Sequence, residues 1–525
     1  MTDSKKSEHQ YGASGGNGML WLAGTALLIG LLVVLLREKT ADAPIEGGDG
    51  QVASSLTVYC AAGVRPPVEE AAKQFEKETG TTVKLEFANS GVLANRLKTD
   101  KGGGLPSADV YIPADYPFTE RAAADGLTRE ALRVATWQVV LALKPGADID
   151  VENVDDVLKA KMSFVICDPL AGVGKKTKKM LEKSGHWKAI DDAKASSFPT
   201  VTEAAMAVKE NAGTQAAFVW DSTARQHGLR VVQLPELNAS RADISVAITA
   251  STDRPTLALQ FARFLGAPEK GGKVFARHNY EPLKGDPWAK VPRLRVDCGG
   301  VNREAVEKTV REFEAREGCK IVMVYAGCGT LVGKMQTGDF GIPDLFMTCD
   351  ATYLDMAQSL MASPFGPDTV ISSTRIVMLV PKGNPKELAV LTDLAKPGLR
   401  IGVTEPKAST LGKLCQDMFS ATGQGEAIAK NIAVKKDTAH TLIQGMEAGG
   451  QLDVVLVYEA NVQHLKDKFD LVPLKPARAI AVQNIAARKD TPYPQLAARL
   501  MQQLASDASR RRFEQLGFKW EAGAE

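Results

Sequence analysis

The run from Leu56 to Lys98 realigns on Leu294 to Gln336 without a gap, at a constant offset of 238 residues, and twelve of the 43 paired positions are identical. Leu56/Leu294, Val58/Val296, Cys60/Cys298, Arg65/Arg303, Phe75/Phe313, Gly80/Gly318, Gly91/Gly329 and Leu93/Leu331 are among them. The register recurs at Thr200/Thr438, at Val219-Trp220 against Val457-Tyr458, and at Phe275/Phe513. The chain is therefore a tandem duplication of a unit of about 235 residues. A period that long marks two whole domains and excludes a solenoid of small repeats.

Composition supports two well-buried cores: 525 residues, 44% hydrophobic and 24% charged. The formal net charge of +2 gives no electrostatic reason to expect nucleic acid, and no Lys/Arg block is interleaved with aromatics. Seven cysteines without a CxxC pair exclude a disulfide framework covering every thiol and offer no zinc spacing.

Residues 1–54 belong to neither copy. Met19 to Leu36 is apolar and uncharged for 18 residues, which at 1.5 Å per residue gives roughly 27 Å, close to a bilayer core. The expected topology is a short cytoplasmic tail over 1–18, a transmembrane anchor over 19–36 and a linker over 37–54. The body then lies outside the cytoplasmic membrane, in the periplasmic space. A cleaved signal peptide is the competing reading, since Ala41-Asp42-Ala43 has the small-x-small form, but Pro44 follows it directly.

Within the first copy, strands alternate with helices. Leu56 to Cys60 reads as a strand, Pro66-Pro67 open a helix, and Val68, Ala71, Ala72 and Phe75 repeat at i, i+3, i+4, i+7. Val83–Phe87 reads as a second strand, followed by Asn89-Ser90-Gly91 and a short helix over Val92–Leu97. Strands are also expected at 108–112, 139–143 and 164–166, the last turning at Asp168-Pro169 into a lysine-rich helix through Gly172-Val173-Gly174. This is an α/β unit with mainly parallel pairing expected. Three loops lead from a strand end to a helix start, where unpaired N–H groups and the positive end of the helix dipole favour an anion.

Taken in order, Leu56-Thr57-Val58-Tyr59-Cys60, Phe75-Glu76-Lys77-Glu78-Thr79-Gly80, Phe87-Ala88-Asn89-Ser90-Gly91, Ala108-Asp109-Val110-Tyr111-Ile112, Asp168-Pro169 and Val219-Trp220-Asp221 resemble the molybdate-binding periplasmic proteins. The chain looks like two of them in series. The resemblance implies two class II periplasmic-binding-protein (Venus-flytrap) domains, over 55–290 and 291–525, each of two α/β lobes. Each would close on a tetrahedral oxyanion, molybdate- or tungstate-like, and hand it to an ABC permease and its ATPase. It implies no cofactor and no metal, because hydroxyls and backbone N–H groups hold the anion; charge-assisted hydrogen bonds of that kind are short and strong.

Carried over residue by residue, the resemblance places Ser90, beside Asn89, at the second-loop serine and Val173 in the third loop. Gly63 stands at the first-loop serine and Trp220 at the cleft tyrosine, where an indole N–H can donate as a phenol does. Arg65 adds a charged donor. In the second copy Tyr458 keeps the tyrosine, Cys328 replaces the serine, Val301 the first-loop residue, and Arg303 recurs at Arg65. Ser90 also reads as a helix cap, Arg65 and Arg303 as solvated charges, and Trp220 and Tyr458 as core aromatics.

A thiol donates weakly beside a hydroxyl, so the second copy is expected to have lost or altered its binding and to act in docking. Cys328 and Cys298 fall on adjacent loops, which leaves a bond between them open. Catalysis finds no motif. Gly172-Val173-Gly174-Lys175-Lys176-Thr177 misses the P-loop, and there is no GxSxG, no HExxH and no Cys/His cluster. The same fold around a ferric ion, phosphate or small organic anion, or a non-transport sensor or interaction module, remain alternative readings.

Overall fold

A computed structural model describes residues 54–103, 108–339, 341–449, 451–475 and 479–523 of the protein. The expected tail, anchor and linker fall outside these residues, and among the described residues no helix is long and apolar enough to cross a membrane.

The first copy opens with the strand Ser55–Ala61, a short 3-10 turn at Ala62–Val64 and the helix Arg65–Thr79. Prolines in the first turn of that helix remove donors that have no partner there anyway. Val68, Ala71, Ala72 and Phe75 form the buried stripe that the i, i+3, i+4, i+7 spacing dictates, and Phe75 meets Phe261 edge-on at 5.1 Å. Gly80 ends the helix at φ 75°, and Gly318 ends the equivalent helix of the second copy at φ 63°. Both sit in the left-handed region where a Cβ is penalised, which accounts for this identity between the copies.

Two sheets divide the first copy into lobes. One runs in the order Glu281–Pro282, Thr128–Trp137, Ala242–Thr249, Val110–Ile112, Ser55–Ala61, Thr82–Ala88; the other runs Ser196–Phe198, Phe164–Cys167, Ala216–Trp220, Val139–Leu143, Arg230–Val232. Pairing is mixed and not mainly parallel. The strand-helix-strand segments pair in parallel, while the strands that cross between lobes and return do so antiparallel. The crossing strand breaks only at Gln138, between Thr128–Trp137 and Val139–Leu143. The helix expected over 92–97 runs from Ser90 to Gly103. In the second copy the crossing strand is one unbroken element, Phe365–Pro381, so its two lobes share a ten-stranded sheet.

The copies are joined through buried charge. Glu317, at the end of helix Arg303–Glu317, accepts from Arg499 at 2.6 and 3.0 Å and from Arg263 of the first copy at 3.2 Å. All three residues are largely buried. Asp286 accepts the N–H groups of Gln495 and Leu496, both at 2.9 Å, and so caps the helix Pro494–Leu504. Arg316 pairs with Glu130 of the first copy. Removing one partner from such a network leaves an uncompensated charge, so the joint is registered by chemistry as well as by apolar contact.

Candidate functional site

In the first copy, four helix starts and turns converge where the lobes meet. Ala62 and Gly63, Ser90, Gly172 and Val173, and Val201 line one small cavity together with Asn89 and Trp220. The first N–H groups of each helix lack intrahelical partners, so the cavity is walled by donors. No charged side chain is among its lining residues.

Ser90 is fully buried and its Oγ accepts from Ala114 N at 3.0 Å. That bond uses an oxygen lone pair and leaves the hydroxyl proton to donate. Asn89, not Ser90, caps the helix, its Oδ1 accepting from Val92 N at 2.8 Å. Asp168 shapes the third loop by accepting from Leu170 N at 2.7 Å. Thr200 caps helix Val201–Glu210 in a reciprocal box with Glu203. This fourth helix start went unread in the sequence except as the Thr200/Thr438 recurrence.

The lobes touch across the cavity. Gly91 N donates to Leu170 O at 3.2 Å and Asn89 Nδ2 to Pro199 O at 3.4 Å. A Cβ added at Gly63 would stand 2.7 Å from Val201 Cγ1 and 3.1 Å from the Trp137 ring, so the glycine permits the close approach. The floor is aromatic. Trp220 stacks on Trp137 at 4.4 Å with an 11° tilt, Trp137 donates to Ala114 O at 2.9 Å, and Tyr280 packs on Trp137 and donates to Gly63 O. The cavity leaves about 20 Å³ for the centres of water molecules. Were it spherical, adding a water radius of ~1.4 Å would give a void of roughly 3 Å radius.

Arg65 stands apart from this group. Its guanidinium pairs with Glu69 at 2.8 Å, lies over Phe87, and keeps 58% of its side-chain surface exposed. At the first position of a helix, its long side chain follows the helix flank and Glu69 one turn on, while the cavity is reached by the backbone before it.

The second copy places a cleft at the equivalent position, with Val301, Arg303, Ser409, Thr438 and Tyr458 on its wall, but with about 490 Å³ of room for water centres. Arg303 lies over the Tyr325 ring, itself part of the wall. Three substitutions remove bulk. Thr374 replaces Trp137, as the registers Val139 to Trp220 and Ile376 to Tyr458 require; Tyr458 replaces Trp220; and Ala439 replaces Val201 after the capping threonine.

Cys328 replaces Ser90 and keeps its backbone partner, since Cys349 N donates to Cys328 Sγ at 3.1 Å as Ala114 N does to Ser90. Cys349, at the position of Ala114, places its own sulfur 3.1 Å from that of Cys328. The thiol neighbour of Cys328 is thus Cys349, and Cys298 directs its sulfur to Gly299 O. All seven cysteines are buried free thiols. The hydrogen bond to Cys328, with burial, pushes the Cys349 thiol well up; burial raises Cys328 too, but the bonds it receives from Cys349 leave it lowered. Burial pushes Tyr458 well above 10, so its hydroxyl stays a donor, and that hydroxyl has no partner among the described residues.

Two lobes joined by crossing strands, with helix starts facing a cleft between them, define a ligand-binding clamshell built twice. The family model for bacterial extracellular solute-binding proteins matches residues 56–281 and again 294–519. The chain belongs to that family, whose members bind solutes and are not enzymes. It is 26% identical over 230 residues to a putative binding protein of Haemophilus influenzae, covering 43% of this chain and 90% of that one. It is 28% identical over 211 residues to the molybdate-binding protein ModA of Mycobacterium tuberculosis, covering 39% and 77%. Among solved structures, the periplasmic molybdate-binding protein of Azotobacter vinelandii aligns with a TM-score of 0.37 at 21% identity, over 43% of this chain and 98% of its own. Iron-bound HitA of Pseudomonas aeruginosa aligns with a TM-score of 0.38 at 19% identity, over 45% and 90%.

Proposed function

We propose that the first domain captures a single tetrahedral oxyanion of the molybdate or tungstate class and presents it to an ABC permease and its ATPase. The observation that carries this reading is the cavity of Gly63, Ser90, Val173 and Trp220: roughly oxyanion-sized, walled by helix starts, and without a charged side chain. Backbone N–H groups and the Ser90 hydroxyl supply directed donors to a dianion whose charge needs no counter-ion there. A ferric ion finds neither a tyrosine pair nor a carboxylate among the lining residues. The chain's similarity to molybdate-binding ModA proteins supports an oxyanion.

In this reading Met19–Leu36, outside the described residues, holds the chain in the cytoplasmic membrane with the body outside the cytoplasm, so that capture occurs beside the permease. Calorimetry of the full chain with molybdate, tungstate, sulfate and Fe³⁺ tests the ligand. Tight binding of molybdate or tungstate ahead of sulfate is expected, and a heat with Fe³⁺ alone would refute the reading. Terminal sequencing of the membrane fraction tests the anchor, and a soluble chain beginning near residue 44 would remove it.

A further inference from the structure

We infer that the cleft of the second domain is a working site for a different class of ligand: a small organic molecule with an oxyanionic head, carboxylate or phosphate ester, and a hydrogen-bonding body. The inference concerns the second domain alone and goes beyond the oxyanion reading of the first. Its basis is the space and the unpaired chemistry at the same place in the fold. A cavity of about 490 Å³ lies in the range of small-molecule pockets, whereas the first domain offers about 20 Å³.

The loss of bulk is not simple decay. Where Ala439 and Thr374 remove bulk, Val301 and Cys349 add some back on the opposite lobe. The floor stays sealed: Val301, Cys349, Ser409 and Tyr458 are all buried. A collapsing vestigial cleft would leave polar groups to pair with one another or to reach water. Here the Tyr458 hydroxyl, on a residue only 3% exposed, has no hydrogen-bond partner among the described residues. Leaving such a donor unsatisfied is unfavourable, and because Tyr458 lines the cleft, a polar ligand atom settling on the floor would relieve it.

The wall sorts into a head site and a body site. At the floor, Gly300-Val301, Ser409 and the start of helix Ala439–Glu447 bring first-turn donors together, with Tyr458 beside them. These groups suit an anionic head. Arg303 forms no ion pair among the described residues and adds a fixed positive charge to the wall. His440, Gln444, Asn461 and His464 also line the wall, His440 and Gln444 hydrogen-bonded to each other at 3.1 Å, and offer donors and acceptors beyond those a lone inorganic anion needs. A body carrying hydroxyls or a second polar group uses them. The acidic wall residues Glu304, Asp437 and Glu447 disfavour a ligand that is anionic along its whole length, and Glu447 is already paired with Lys468 at 3.4 Å.

The test is calorimetry on the full chain pre-saturated with molybdate, titrated separately with malate, citrate, glycerol 3-phosphate and glucose 6-phosphate. The expected result is one equivalent of at least one organic acid bound, with the carboxylate and phosphate arms identifying the head. Tyr458→Phe, which keeps the ring and the packing, should weaken that binding roughly tenfold with an unchanged melting temperature, and Arg303→Ala should weaken it further. Ser90→Ala should leave it unchanged. No heat from any of the four, or binding that molybdate displaces and Ser90→Ala abolishes, would overturn the inference. A chain that binds an organic acid in the second cleft but no molybdate would refute the oxyanion reading and leave this one standing.

Discussion

The two domains share a backbone plan and differ in what fills the space between their lobes. In the first, Trp137, Trp220 and Val201 occupy the floor and a glycine at 63 lets the lobes close on a small void. In the second, Thr374, Tyr458 and Ala439 stand there, the glycine has become Val301, and the void is about 490 Å³ against about 20 Å³. The room in the cleft differs through a few side chains, some behind the binding loops, such as Trp137 and Thr374, and some within them, such as Gly63 and Val301 or Ser90 and Cys328. Duplication lets one copy keep a tight cage while the other is remodelled.

The largest expected effect concerns what the copies hold in common. Glu317→Ala leaves Arg263 and Arg499 buried without their carboxylate and should lower stability by about 3–5 kcal/mol, read by denaturant unfolding; a loss below 1 kcal/mol would show that the copies are not registered by this joint. The same joint predicts a pH effect through Glu130. Burial raises its carboxyl, but the Arg316 pair outweighs this and leaves it below its ordinary value. A lowered folded-state value contributes stability that is present above the ordinary glutamate range and is lost as the pH falls through it. Glu130→Gln should therefore flatten the acid limb of the stability profile, and an unchanged limb would count against the pair.

Next comes the exchange of bulk across the cleft. Gly63→Val places a side chain where Val201 already stands, and overpacking of this kind costs about 1–3 kcal/mol, so molybdate affinity should drop ten- to a hundredfold. Adding Val201→Ala recreates the pair of the second copy and should recover part of the loss. Failure of the double variant to recover would break the idea that the two positions trade volume. Ser90→Ala should cost about 1.5–3 kcal/mol of oxyanion binding if the hydroxyl donates to the charged ligand. Ser90→Cys should fall between it and the native residue, because the thiol keeps the Ala114 N–H but donates weakly.

The smallest effect is chemical. Mild oxidation of the full chain by a disulfide reagent should join Cys328 to Cys349, whose sulfurs lie 3.1 Å apart, with two thiol protons and two electrons passing to the reagent. Peptide mapping that found Cys298 joined to Cys328 would contradict the arrangement.

Much of this was legible in the sequence. The offset of 238 gave the duplication, the apolar spacing gave helix Arg65–Thr79, the strand-loop-helix order gave the converging loops, and the family resemblance put Gly63, Asn89, Ser90, Val173 and Trp220, which line one cavity, among the site residues. What escaped reading depended on contacts between distant segments. Trp137 and Thr374 fall off the constant offset by one residue, and Ala114 and Cys349 by three, so their equivalence appears only through strand register and hydrogen bonds. Arg65 recurs as Arg303, yet one sits on Glu69 and the other lines a cleft. Recurrence marked the position and not the role. The sequence pattern predicts mainly parallel pairing because the crossing strands look like any other apolar run until the return from Arg230–Val232 to Ala242–Thr249 is known.

If the clefts select by size, tungstate reports this directly through its anomalous scattering. Crystals of the protein soaked in tungstate should show one strong peak, enclosed by Gly63, Ser90, Val173 and Trp220, and none of comparable height on the floor beneath Tyr458. Equal peaks in both clefts, or a peak in the second alone, would contradict it.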